Sequence, residues 1–180
     1  MTHEDHVALL RGGITGTGGV WADLGSGTGA FTLALADLLG PEGTIYSVDI
    51  DRRALKEQER SMFSRFPDVI VHYIAADYTG LLDLPPLDGI VMANSLHFQR
   101  DKSKVLRQVR SYLKPGGRLI LVEYNADRGN PWVPFPISYS TWERLASAHG
   151  FRSTRLLTTV PSRFLREIYS AVSEADDQRP

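Results

Sequence analysis

The chain has 180 residues, 42% hydrophobic and 23% charged, the balance of a globular domain large enough for a real core. Its formal net charge of −1 gives no global field for a polyanionic partner, and its lack of cysteine excludes disulfides, thiolate metal sites and cysteine nucleophiles. Apolar runs such as Ile90 to Ala93 and Leu119 to Val122 are far shorter than the ~20 residues of a membrane span, so no membrane segment is expected.

The polar start Met1-Thr2-His3-Glu4-Asp5-His6 has neither a basic nor an apolar leader region, which points to a cytoplasmic location. His3 to Arg11 reads as a short helix ended by Gly12-Gly13. With the loop after it, this makes residues 1–18 a helix-and-loop preface. Val20 to Leu24 is a short apolar strand running into Gly25-Ser26-Gly27-Thr28-Gly29, and Ala30 to Leu39 is a nearly all-apolar helix stopped by Gly40-Pro41. Thr44 to Asp49 reads as a second strand, Arg52 to Phe66 as a helix closed by Pro67, and Val69 to Ala75 as a third strand. After the Pro85-Pro86 break come a strand at Gly89 to Ala93 and a basic helix within Arg100 to Lys114. The turn Lys114-Pro115-Gly116-Gly117 then leads into a strand at Arg118 to Tyr124.

In the basic helix, Val105, Leu106, Val109, Tyr112 and Leu113 follow a helical period. That places Lys102, Lys104, Arg107 and Arg110 largely on the other side, as a solvated face or a nucleic-acid contact. Thr141 to His149 reads as a helix stopped by Gly150. Arg152 to Val160 and Phe164 to Val172 read as a hairpin joined at Pro161-Ser162, antiparallel because a parallel return needs a dozen residues or more. Ser173 to Pro180 reads as a frayed tail, and residues 1–180 read as a single domain. Strands alternating with helices imply right-handed crossovers and a mostly parallel α/β sheet covered on both faces.

The glycine loop lies between a buried strand and a helix start, at a strand's carboxyl end, where open α/β sheets bind ligands. Glycines permit a tight turn and close approach of a ligand, though the loop alone is equally compatible with a plain turn. Three acids accompany it. Asp23 precedes the first glycine by two residues, and Asp49 ends the second strand, where a carboxylate can accept both hydroxyls of a ribose. Asp77 follows the third strand, where it can accept from an exocyclic adenine amine. A nicotinamide dinucleotide satisfies the Gly25-x-Gly27-x-x-Ala30 pattern, but its pyrophosphate would be repelled by Asp23. S-adenosylmethionine has no phosphate and brings an ammonium and a sulfonium, which suit that acid. No Gly-Lys-Ser or Gly-Lys-Thr follows, so an ATP-type phosphate loop is excluded.

Asp23-Leu24-Gly25-Ser26-Gly27-Thr28-Gly29 resembles motif I of the class I S-adenosylmethionine-dependent methyltransferases. Ser47-Val48-Asp49-Ile50-Asp51 resembles their second-strand acid motif, and Ala76-Asp77-Tyr78 their adenine-contacting segment. Leu113-Lys114-Pro115-Gly116-Gly117-Arg118-Leu119 is similar to the turn before their fifth strand, and Ala148-His149-Gly150-Phe151 to the approach to their terminal hairpin. The resemblance implies a Rossmann-like domain with a seven-stranded sheet of order 3-2-1-4-5-7-6 and strand 7 antiparallel. It also implies a cofactor set of Asp23, Gly25, Ser26, Gly27, Gly29, Asp49, Ile50, Asp77, Tyr78 and Asn94. In that set Gly25 and Gly27 line the methionine part, Asp49 the ribose and Ile50 an adenine face. Asp77 and the Tyr78 backbone edge the adenine, and Asn94 approaches the amino-acid end.

The loop Asn94-Ser95-Leu96-His97-Phe98 is where a methyl acceptor would meet the sulfonium. It lacks the Asn/Asp-Pro-Pro-aromatic signature of amino-directed DNA and protein-glutamine methyltransferases. No carboxylate cluster suggests a magnesium site, and the missing cysteine removes the arsenite-methylating and cytosine-C5 mechanisms. His97 has two readings: a general base for the acceptor, or a ring that packs on the cofactor or caps the next helix. The packing reading draws on the lack of an evident carboxylate to orient the ring. Asn130-Pro131-Trp132-Val133-Pro134-Phe135-Pro136 reads as an apolar lid or a rigid crossover. With no insertion for a separate substrate domain, the expected activity is methyl transfer to a small-molecule acceptor. A nucleic-acid methyltransferase and a cofactor-binding subunit without turnover are the alternatives.

Overall fold

The computed structural model describes residues 1–162 and 164–176. Seven strands form one sheet: β1 (Gly19–Leu24), β2 (Gly43–Asp49), β3 (Ile70–Ala75), β4 (Leu87–Ala93), β5 (Leu113–Tyr124), β6 (Phe151–Pro161) and β7 (Glu167–Ala175). Their order is β3-β2-β1-β4-β5-β7-β6, with β1 to β5 parallel and β7 antiparallel to both neighbours. Alternation along the strands divides the core in two. Trp21, Ile45, Val91, Ile120 and Val122 face α1 (His3–Arg11), α2 (Ala30–Leu39) and Met62 of α3 (Arg52–Arg65). Ala22, Leu24, Ile90, Met92, Leu119 and Leu121 face α4 (Ser103–Tyr112) and α5 (Tyr139–Ser147). Two buried faces explain why the central strands read as continuous apolar runs.

Local chemistry sets the helix starts. Thr2 and Asp5 form a reciprocal capping box on α1, and Asp51 caps α3 by accepting from Arg53 N and Ala54 N. A chain reversal follows each parallel strand, so the ends of β1, β2 and β4 converge on one edge of the sheet. That edge carries the candidate site.

Three expectations change. Lys102 and Arg110 are buried rather than part of a solvated face. Arg110 Nη2 pairs with Asp176 Oδ1 at 2.8 Å, and its Nε donates to Gly150 O at 3.1 Å. Only Lys104 and Arg107 of the four cations are exposed, which takes away most of the basic face a nucleic acid would need. The hairpin connection is longer than Pro161-Ser162 and closes through Ser162 N–H donating to Arg166 O at 2.9 Å, so β7 starts at Glu167. The expected tail from Ser173 is instead the end of β7. Ser173 and Glu174 pair with Leu119 and Arg118, because the apolar face of β5 needs a neighbour along its full length. Residues 177–180 lie outside the described residues.

Candidate functional site

The glycine loop is tied to β2 from below. Gly25 N and Ser26 N donate to Val48 O at 2.8 and 3.1 Å, and Gly27 N donates to Asp49 Oδ2 at 2.7 Å. Gly25 has φ +80°, and a Cβ there would lie 2.6 Å from the Ser95 Cβ, so the loop passes flush against the end of β4 only without a side chain. Gly29 caps α2 at φ +90° directly over the Gln58 side chain. The space above Gly27 is open. Ser26 turns inward: its hydroxyl accepts from Ser47 Oγ at 2.7 Å, within a buried network that ends on Gln58 Oε1.

The three acids differ in state. Asp23 is fully buried, accepts from Thr32 Oγ1 at 2.7 Å, and is pushed up to about 7 by burial, the nearby Asp49 adding to the shift. Asp49 sits at the cleft, with Oδ2 holding Gly27 and Oδ1 accepting from Asp51 N at 2.8 Å. Its backbone carbonyl accepts from Ala76 N, joining it to the segment of the third acid. Asp77 is exposed and caps its own turn through Thr79 N, and that backbone hydrogen bond holds its carboxyl below the usual range. Ile50 is 76% exposed, an apolar side chain at the strand end with no protein cover. The Tyr78 ring reaches back over Gly25 and donates its hydroxyl to Ser95 O at 2.8 Å.

At the end of β4, Asn94 adopts φ +51° and its buried Oδ1 has no hydrogen-bond partner among the described residues. Ser95 Oγ donates to Leu24 O at 2.8 Å, which sews this segment to the glycine loop. A 3-10 turn, Leu96–Phe98, then places His97. Contrary to the sequence reading, a carboxylate orients the ring. Glu123 at the end of β5, 0% exposed, lies 2.9 and 3.0 Å from His97 Nδ1 through its two oxygens and also accepts from His97 N and Tyr124 N. Because Nδ1 meets a carboxylate, the proton of the neutral imidazole sits on Nδ1 and the Nε2 lone pair is left for other work. Nε2 makes no hydrogen bond among the described residues, and Phe98 and Tyr124 pack at centroid distances of 4.3 and 5.8 Å.

The glycine loop, Asp49, Ile50, Tyr78, Asn94 and His97 therefore share one edge, while Asp77 stands at its rim. Sequence reasoning missed Glu123, although one acid closing the apolar run Leu119 to Val122 was a usable signal. Lys102, Thr32 and Gln58 carried no such mark. A hollow of about 600 Å³ between Arg100–Ser103 and Pro134–Ile137 flanks the His97 turn. Another of about 380 Å³, lined by Thr15, Gly18, Asp88 and Lys114, opens at the opposite ends of the strands and holds none of these residues. No group of three or more metal-binding side chains occurs among the described residues, and no helix there is long and apolar enough to cross a membrane.

Residues 17–152 match the family described as "Methyltransferase domain". A reducing polyketide synthase of Penicillium sp is 27% identical over 161 residues, covering 77% of this chain and 6% of that protein. The ubiquinone/menaquinone biosynthesis C-methyltransferase UbiE of Pasteurella multocida is 32% identical over 105 residues, covering 57% of this chain and 39% of that enzyme. The chain thus spans well under half the length of these two relatives. Among solved structures, the YcgJ protein from Bacillus subtilis superposes with a TM-score of 0.77 at 14% identity, covering 98% of this chain and 100% of that one. The sheet order, the glycine loop and the family match agree: the chain belongs to the class I methyltransferases.

Proposed function

We propose that the chain is an S-adenosylmethionine-dependent methyltransferase whose acceptor is a small molecule methylated at carbon, with His97 as the general base. The observation that carries this reading is the buried His97–Glu123 pair at the end of β4, beside the glycine loop. Transfer to an already nucleophilic atom needs alignment alone, whereas a carbon acid must first lose a proton. The name of the UbiE relative, a C-methyltransferase, supports the same class. A cytoplasmic setting belongs to this reading.

The residues fit the cofactor. Asp49 has lone pairs left for ribose hydroxyls, Ile50 offers an apolar face, the space above Gly27 is open, and the orphaned Asn94 Oδ1 lacks a donor that an ammonium would supply. S-adenosylmethionine, when bound, supplies an electrophilic methyl group on a sulfonium. His97 Nε2 takes the acceptor's C–H proton, and Glu123 stabilises the resulting imidazolium through Nδ1–H. The deprotonated acceptor carbon would take the methyl group that the bound cofactor supplies, and His97 would then release its proton to solvent.

Calorimetry should show S-adenosylmethionine and S-adenosylhomocysteine binding with no comparable NAD affinity. With methyl-labelled cofactor and a panel of 1,3-dicarbonyl thioesters, phenols and amines, label should appear on carbon. NAD binding without response to the sulfur ligands, or label only on oxygen or nitrogen, would overturn the reading. For Asp49→Ala, S-adenosylhomocysteine affinity is expected to fall by about two to four orders of magnitude, since two hydrogen bonds to a charged group are worth ~1.5–3 kcal/mol each. Part of that loss comes from the Gly27 amide, which Asp49 holds in place. Unchanged affinity in a folded variant would remove Asp49 from the site.

A further inference from the structure

Lys102 stands just before α4, with its side chain buried. Its Nζ donates to two main-chain carbonyls, Gln99 O at 2.9 Å and Phe135 O at 2.8 Å. Both partners bear on His97. Gln99 closes the 3-10 turn by donating its N–H to Leu96 O at 3.0 Å, and Phe135 donates its N–H to His97 O at 3.0 Å. Ammonium and backbone thus form a closed circuit that pins the segment between β5 and α5 onto the turn holding the imidazole. Among the described residues no carboxylate lies within ion-pair distance of Nζ. A buried cation without a contact partner is costly. Burial lowers the proton affinity of Lys102, and the charge that opposes this is that of Glu123.

Counting charges gives the circuit a purpose. An ionised Glu123 with no compensating cation would leave a net negative charge beside the imidazole, and a charge of that sign favours protonation of a neighbouring base. An imidazolium cannot accept the acceptor's proton. A protonated Lys102 brings the sum to zero while the imidazole stays neutral. The other titratable neighbours do not supply this balance. Tyr78 after β3, Tyr124 on β5 and Tyr169 on β7 feel Glu123, but burial raises all three and they stay neutral. Asp127 is engaged with Ser138 and the field of Arg144. Arg100 lies exposed, 5.9 Å from the centre of the Phe135 ring.

We propose that Lys102 is a positioning residue for the His97–Glu123 pair: its ammonium clamps Phe135 and Gln99 around the His97 turn and balances Glu123, so that the imidazole stays uncharged and ready to accept a proton. The proposal rests on His97 being the base, but its test needs no acceptor. In the full chain with labelled histidine and lysine, nuclear magnetic resonance should show Lys102 as an exchange-protected ammonium at pH 7. In Lys102→Met the His97 ring should titrate about one pH unit or more higher than in the parent, a tenfold gain in proton affinity. Lys102→Arg should restore the parent titration. A neutral, solvent-exchanging Lys102 amine in the parent overturns the proposal even where the variants do not fold. So does a Lys102→Met protein whose His97 titrates with the parent. Methyl transfer that survives loss of His97 would remove the base assignment while leaving the titration result standing, so the two failures are distinguishable.

Discussion

Replacing His97 with alanine is expected to lower kcat by roughly 10²–10⁴ while cofactor affinity stays close to that of the parent. Affinity should hold because the ring's contacts are Glu123, Phe98 and Tyr124, none of them part of the glycine loop. The pH profile of kcat should lose its acidic limb, since that limb reports protonation of the imidazole. Glu123→Gln should fall between parent and His97→Ala: an amide can still hold the ring but cannot stabilise the imidazolium. The base function has a readout apart from methyl transfer. With S-adenosylhomocysteine bound, the parent should exchange the acceptor's C–H with solvent deuterium, and His97→Ala should not. A fall in cofactor affinity with the acidic limb intact would instead make His97 a packing residue.

The second large effect concerns Asp23. Its carboxyl titrates near pH 7 in the folded chain against an ordinary value of 3.8, because burial penalises the charge more than the Thr32 hydroxyl favours it. Between about pH 4 and pH 7 the folded protein therefore holds a proton that the unfolded chain has released, and stability falls as pH rises through that window. Below the window the contribution is fully present, and above it the loss is complete. Three pH units at ~1.4 kcal/mol each put the cost of the ionised form on the order of 4 kcal/mol. Asp23→Asn keeps an acceptor for Thr32 and removes the charge. Urea unfolding at pH 5 and pH 8 should show the variant with a flatter pH dependence and the greater stability at pH 8. Parallel slopes for parent and variant would show that Asp23 is not the group responsible. Under the proposed function the same variant should bind the cationic cofactor more weakly, so the cost at the acid is tied to its use.

Local sequence signals and tertiary contacts divided the rest between them. Periodicity, glycine–proline punctuation and capping residues are short-range, and they set α1 and α2 at their observed bounds and most strands to within a residue or two. The strand-end acids and the glycine loop were legible for the same reason: each is defined by a few neighbouring residues at a strand's carboxyl end. β7 was placed less well, since its bounds depend on register against β5 and β6 rather than on its own sequence. The cations of α4 were misread because amphipathic spacing ranks a lysine by its helix face and cannot see two carbonyls converging on it from Gln99 and Phe135. His97 and Glu123 lie 26 positions apart on different strand ends and become a pair only when β4 and β5 align in parallel. Sequence alone determined the family, the sheet and the positions of the strand-end acids. Tertiary structure decided which histidine nitrogen is available, which carboxylate holds the ring and which carbonyls meet Lys102, because long-range register and burial set all three.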